Sequence, residues 1–212
     1  MKIRSVDELE QFFDAESAWR KKELTTLKLT IDSSRKHIQE VLLRSAVPIL
    51  YAHWEGLLKQ LSIAMLTYIV NKGHRYNQLK DNFHAFAILE HYKGQFPAKR
   101  FDALVNVISK ENIDLSKSIK IDPQKYIDTK SNLNSEVLKD ITIKLGISYV
   151  PYELKENFID ESFLKLRNSI CHGERLDVKP HEFKYLYQEV INLMETFKNQ
   201  LLNQICQQSY LR

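Results

Sequence analysis

Apolar residues along this chain recur at intervals of three and four over long distances, the spacing that lines one face of an α-helix. In residues 6–30 the recurrence is sparse: Leu9, Phe12, Phe13, Trp19, Leu24 and Leu27 are separated by charged and polar residues. That predicts a surface helix with one apolar face. Residues 33–72 carry a denser stripe through Ile38, Leu42, Ala46, Ile49, His53, Leu57, Leu61, Ala64 and Tyr68. It predicts a long helix that Pro48 kinks, because proline withholds one backbone donor and crowds the preceding turn. Asn71, Lys72 and Gly73 supply its stop. Residues 82–92 and 98–109 are shorter helical segments, the second opened by Pro97. From 110 to 133 the period disappears, and weak alternation fits a short strand pair or an ordered loop. Helical spacing returns over 134–145, opened by Asn134, Ser135 and Glu136 and closed by Gly146. It returns again over 160–172, with Asp160 as the predicted cap and Gly173 as the stop. The last predicted helix, 180–208, has one continuous stripe: Phe183, Leu186, Val190, Leu193, Phe197, Leu201 and Ile205.

These elements predict an all-α helical bundle, one domain over residues 1–212, with a less regular insert between residues 73 and 133. Composition supports it. The chain has 212 residues, 43% of them hydrophobic, enough for a sizeable core, and only five glycines and five prolines to break helices. The net charge of +4 suits a phosphate-bearing partner, and suits an ordinary solvated surface equally well. Cys171 and Cys206 are the only cysteines, so neither a disulfide framework nor a Cys-rich zinc pattern is expected, and a reducing compartment is. The N-terminal "MKIRSVDELEQ" lacks the apolar core of a secretion signal. The longest apolar stretch, 57–70, is interrupted by Lys59 and Gln60 and is too short and polar to span a bilayer. A cytoplasmic protein with no membrane association is the expectation.

One stretch changes this bland picture: "DESFLKLRNSICHGER", residues 160–175. On a helical projection Phe163, Leu164, Leu166, Ile170 and Cys171 span one arc, and the permanent cation of Arg167 falls inside it. A charge there is costly unless paired. One reading makes Arg167 a bridge to a carboxylate on another helix, with Glu55 a candidate. His172 lies about 140° round from Arg167, so one helix does not aim both side chains at one point. A histidine at a helix C-terminus also needs no function, since it complements the helix dipole. In "YAHWEG", residues 51–56, His53 and Trp54 read as core residues, Glu55 as a partner of Arg167 or an auxiliary acid, and Gly56 as a site of close helix approach. Arg20, Lys21 and Lys22, with Lys28, Arg35 and Lys36, form a solvated face or an RNA track. Ser131, Asn132 and Leu133 read as a turn leading into a helix.

"RNSICHGE" resembles the Arg-Asn-x-x-x-His signature of the HEPN superfamily of helical nucleotide-binding domains and ribonucleases. "AVPILYAHWEGLLKQL" (46–61), "DTKSNLNSEVLKDI" (128–141) and "IDESFLKLRNSICHGE" (159–174), in that order, resemble one prokaryotic branch of it. The resemblance covers the chain from about residue 35 onwards. It implies a bundle that forms a homodimer with two Arg–His helices facing each other, and metal-independent cleavage of an RNA substrate, by a toxin or anti-phage defence effector. Carried onto this chain, Arg167, His172 and Asn168 are the catalytic candidates, with Glu55, His53 and Glu174 auxiliary. No metal and no cofactor are expected. An antitoxin or a nucleotidyltransferase is the expected partner protein, although Glu174 stands where some members carry the tyrosine that such a transferase modifies. The chemistry agrees with the resemblance. A ribose 2′-hydroxyl can attack the adjacent phosphate if a base takes its proton, an acid protonates the leaving oxygen and positive charge stabilises the phosphorane. Imidazole serves as acid or base near neutral pH, and guanidinium offers forked donors to phosphate. Asn168 would orient His172 or bind the phosphate. The alternative is a non-catalytic HEPN module that binds a nucleotide or a protein and merely dimerises.

Overall fold

The computed structural model describes residues 2–92 and 114–212. The predicted helix 98–109 and the first part of the aperiodic stretch lie outside them. Helix α1 (Val6–Ser33) opens on a reciprocal cap: Ser5 Oγ accepts from the Glu8 N–H at 3.1 Å, and the Glu8 carboxylate accepts from the Ser5 N–H at 3.2 Å. Leu9, Phe13, Leu24 and Ile31 are buried, while Trp19 is 46% exposed. The neighbouring Arg20, expected on a solvated face, is buried instead. It donates to the Glu16 carbonyl at 2.8 Å and pairs with the Glu16 carboxylate. Gly56 makes the space: a Cβ there would sit 3.3 Å from Arg20 Nη2. Gly56 does allow a close approach, and the group that approaches is a guanidinium.

Helix α2 (Lys36–Lys72) runs unbroken through Pro48 and ends on Gly73, whose φ of +69° no branched residue adopts cheaply. It is the central element, packed against α1 and most later helices. Its burial departs from a single stripe. Ile38 and Ile49 are exposed, whereas Leu50, Tyr51, Trp54, Leu58 and everything from Leu61 to Leu66 are buried. Its first half covers one face only; its second half is surrounded, so apolar residues occupy several faces there.

The insert begins at Gly73. Its described part is an ordered loop rather than a strand pair. A turn at Tyr76–Gln78 is stitched to 115–119 by Tyr76 N–H to Lys117 O (3.0 Å) and Ile119 N–H to His74 O (2.8 Å). Single antiparallel bridges join Arg75 to Ser118 and Leu79 to Leu211. Helix α3 (Asp81–Tyr92) and the one-turn α4 (Pro123–Tyr126) complete it. Helix α5 (Ser135–Leu145) is capped as expected, with Asn134 Oδ1 accepting from the Val137 N–H at 2.8 Å and Gly146 left-handed at its end. After the short α6 (Val150–Glu153) comes the segment that carries the Arg–His motif. The C-terminal helix α8 (Pro180–Cys206) buries all seven residues of its predicted stripe.

The motif helix does not begin at Asp160. Residues Phe158–Leu164 form a π-helical stretch that continues into α7 (Lys165–Cys171). Its wider turn brings residues five apart to the same side, as an α-helix does not. Phe158 thus stacks on Phe163, centroids 6.0 Å apart, and Ile159 and Leu164 are buried with them. Asp160 is an internal residue of this stretch, and it caps a different helix. Its carboxylate accepts from the Ser135 N–H at 2.7 Å and from Ser135 Oγ at 2.5 Å. Asp160→Ala therefore strips two bonds from the buried start of α5. The expected cost is about 1–3 kcal/mol, seen as a lower urea midpoint at unchanged m-value.

Candidate functional site

The π-helical stretch and the buried Phe163 and Leu164 fix the start of α7 against α2. Arg167 then emerges half-buried over α2. Its guanidinium carbon lies 4.4 Å from the centroid of the Tyr51 ring, a cation–π contact. Nη1 donates to Asn168 Oδ1 at 2.6 Å, and Nη2 reaches the Ser131 carbonyl at 3.5 Å. Asn168 Nδ2 donates onward to Asn132 Oδ1 at 3.2 Å. Guanidinium has five N–H donors. Most of Arg167's donors have no acceptor among the described residues.

Tyr51 is buried. Its hydroxyl accepts from the Leu133 N–H. Burial, then the neighbouring Glu55 carboxylate, pushes its ionisation well above the ordinary phenol range, so it stays neutral under the cation. Glu55 lies about 40° from Tyr51 on the helix, one turn on. It does not bridge to Arg167, as one reading of the sequence had it. Its carboxylate instead accepts from Thr129 Oγ1 at 2.5 Å. The arginine is held by a ring, an amide and a carbonyl, without a carboxylate partner among the described residues. This removes the objection to a charge in an apolar arc: the arc is only partly covered. Leu166 and Ile170 are half-buried and Cys171 is exposed.

His53 points elsewhere. It lies about 160° round α2 from Tyr51, buried against α1, with its ring edge-on to Trp19 (centroids 5.2 Å) and Nε2 3.5 Å from the Glu23 carboxylate. Burial lowers its pKa. The structure does not bring it to Arg167, and the core reading of His53 and of the buried Trp54 describes their surroundings.

His172 is exposed at the end of α7. The chain turns there through Gly173, φ +85°, with Gly173 N–H bonded to Ile170 O (3.1 Å) and Glu174 N–H to Ser169 O (3.0 Å). This double closure satisfies the last carbonyls of the helix and needs a left-handed residue at 173. Glu174 follows, exposed, its carbonyl accepting from Arg44 Nη2 at 2.6 Å. A groove of about 340 Å³ opens beside it, between Val41 and Arg44 of α2 and Ile170 and Arg175. Asn168 does not reach His172 with its side chain; only its backbone carbonyl does, as the His172 N–H acceptor at 2.9 Å.

This is a helical bundle that presents an Arg-Asn pair and, five residues after the arginine, an exposed histidine. The model of the RiboL-PSP-HEPN family matches residues 15–203. The chain belongs to the HEPN family. No curated protein and no solved structure matches it. The HEPN match contains all three segments that meet here: 51–56 on α2, 129–133 before α5, and 167–172 on α7. Among the described residues no helix is long and apolar enough to cross a membrane.

Three contributors were given no role at the site from the sequence. Tyr51 was legible only through its one-turn spacing to Glu55, which puts both on the face opposite His53. Thr129 and Asn132 carried no signal beyond being turn-forming residues.

Proposed function

We propose that this HEPN protein is a metal-independent endoribonuclease whose working form is a homodimer. The observation that carries the reading is Arg167: a permanent cation seated on a neutral ring, oriented by neighbouring groups, with donors left over and no carboxylate to neutralise it among the described residues. Such a group is built to receive an anion. His172 is exposed on the same helix but on another side of it, so one protomer does not close a site around one phosphate. Two copies related by a two-fold axis can line one cleft with two arginines and two histidines.

In that cleft His172 takes the 2′-hydroxyl proton or protonates the leaving 5′-oxygen. Arg167 binds the non-bridging oxygens as their charge rises. Asn168 serves Arg167 rather than the phosphate or His172, because its amide is occupied by Arg167 and Asn132. Glu55 stands one layer back, on Thr129, and Glu174 flanks His172. The chain works as one domain in the cytoplasm, as a toxin or defence effector held in check by a partner protein; that role rests on the resemblance alone.

The test is incubation of purified protein with total RNA in a chelator. Wild type is expected to produce fragments and the Arg167→Ala/His172→Ala double variant none. Light scattering at tens of micromolar, above a roughly micromolar affinity worth about 8 kcal/mol, should give the mass of a dimer. An inert wild type that still binds a nucleotide or a protein would instead mark a non-catalytic module.

A further inference from the structure

We infer that Asn132 is a positioning residue for Arg167, acting through the Asn168 amide, and that the turn at 129–133 is the device that holds it there. The inference rests on the reading of Arg167 as the phosphate-binding group, and deepens it.

The Asn168 amide has two possible orientations, and only one suits its neighbour. With Oδ1 toward Arg167 it accepts from Nη1; turned over, it would set its own N–H donors against the guanidinium donors. Arg167, which only donates, selects the first, and Asn132 Oδ1 holds it by accepting from Nδ2 at 3.2 Å. One residue earlier, the Ser131 carbonyl meets Nη2. The guanidinium is thereby located by Tyr51 on its face, Asn168 on one edge and the turn on another.

The turn is built in an uncommon way. Lys130 and Ser131 both have left-handed backbones, φ +54° and +51°, a region that side chains other than glycine seldom adopt. Such a conformation persists where its surroundings over-determine it. Here they do. Thr129 is tied to Glu55, and the Leu133 N–H to the Tyr51 hydroxyl. Asn134 caps α5, and Ser135 is tied to Asp160 just ahead of α7. Capping α5 requires none of what lies between: Asn134 and Asp160 do that, and Asn132 is exposed. The Ser131 carbonyl and the Asn132 amide make contacts to Arg167 and Asn168 and have no part in the cap.

Labelling arginine with ¹⁵N gives a readout independent of catalysis. The Arg167 Nε–H resonance, assigned by its loss in Arg167→Lys, is expected to be displaced by the Tyr51 ring. In Asn132→Ala it should move toward the position of a free arginine, while the urea midpoint stays at the wild-type value. RNA cleavage should fall between about tenfold and a hundredfold, the scale of a misplaced reacting group, in kcat rather than KM. Asn132→Asp keeps an acceptor for Nδ2 and should restore the resonance; its added charge lies beside the phosphate-binding cation, so kcat is compared between wild type and Asn132→Ala. An Arg167 resonance unmoved in Asn132→Ala overturns the inference, as does a moved resonance with unchanged kcat. A moved and restored resonance in a protein that cuts no RNA upholds the positioning and counts against the ribonuclease reading.

Discussion

Arg167→Lys is expected to leave the protein folded and to lower RNA cleavage by at least about a hundredfold, the scale seen when one preorganised charge-stabilising donor is lost. Three features of the arginine cannot pass to lysine. Its flat guanidinium lies on the Tyr51 ring, 4.4 Å from the centroid. It donates sideways to Asn168 while keeping other N–H groups for a ligand. Those remaining donors form a rigid fork that fits two phosphate oxygens together. An ammonium on a flexible stem keeps the charge and loses the plane and the fork. The fold should survive because Arg167 is half-buried and makes no ion pair with Glu55. Its loss forfeits a cation–π contact and a hydrogen bond to a charged group, together about 2–3 kcal/mol. Glu55→Ala should act on the Thr129 turn instead. A structural bridge between the two residues would make Arg167→Ala and Glu55→Ala lower the melting temperature alike. Near wild-type cleavage by Arg167→Lys would show that guanidinium geometry is irrelevant.

The parts of this fold that were legible in the sequence are those where one physical signal acts alone. The α8 stripe is regular because α8 buries one face against the core, and all seven predicted positions are inside. The ends of α5 were legible because Asn134 and Gly146 act on their own backbone. Legibility failed where a partner lies far along the chain. Asp160 looked like the cap of the helix it begins, and its acceptors serve Ser135. Arg20 looked solvated, and Trp19 beside it looked buried; the local carboxylate of Glu16 and the missing side chain at Gly56 reverse them. The π-helical stretch has a five-residue repeat that a search at three and four passes over. In the site, Arg167 was legible as a cation in an apolar arc, and Asn168 only as the second residue of the motif. The turn that orients them was not, because two left-handed residues that are neither glycine nor asparagine leave no mark in composition.

Replacing the ribose at the scissile nucleotide by deoxyribose is expected to stop cutting at that position without preventing binding. The proposed reaction has no external nucleophile. The 2′-hydroxyl attacks its own phosphate, so a strand without it carries every contact needed for binding and lacks the attacking atom. The products follow from the same bond changes. The new O2′–P bond and the broken P–O5′ bond leave a cyclic phosphate on one fragment and a free 5′-hydroxyl on the other. His172→Ala removes the group that moves the proton and should cost at least about a hundredfold, the usual scale for a general acid–base residue. That side chain is exposed at a helix end, so the variant should melt with the wild type, which separates lost chemistry from lost structure. A single deoxy substitution walked along a labelled oligonucleotide, with fragments resolved by mass, tests each point. Cutting at a deoxy position would mean that water or another external oxygen attacks. Nothing in the seating of Arg167 requires that, and activity that disappeared in chelator as well would assign the attack to a metal-activated water and overturn the role given to His172.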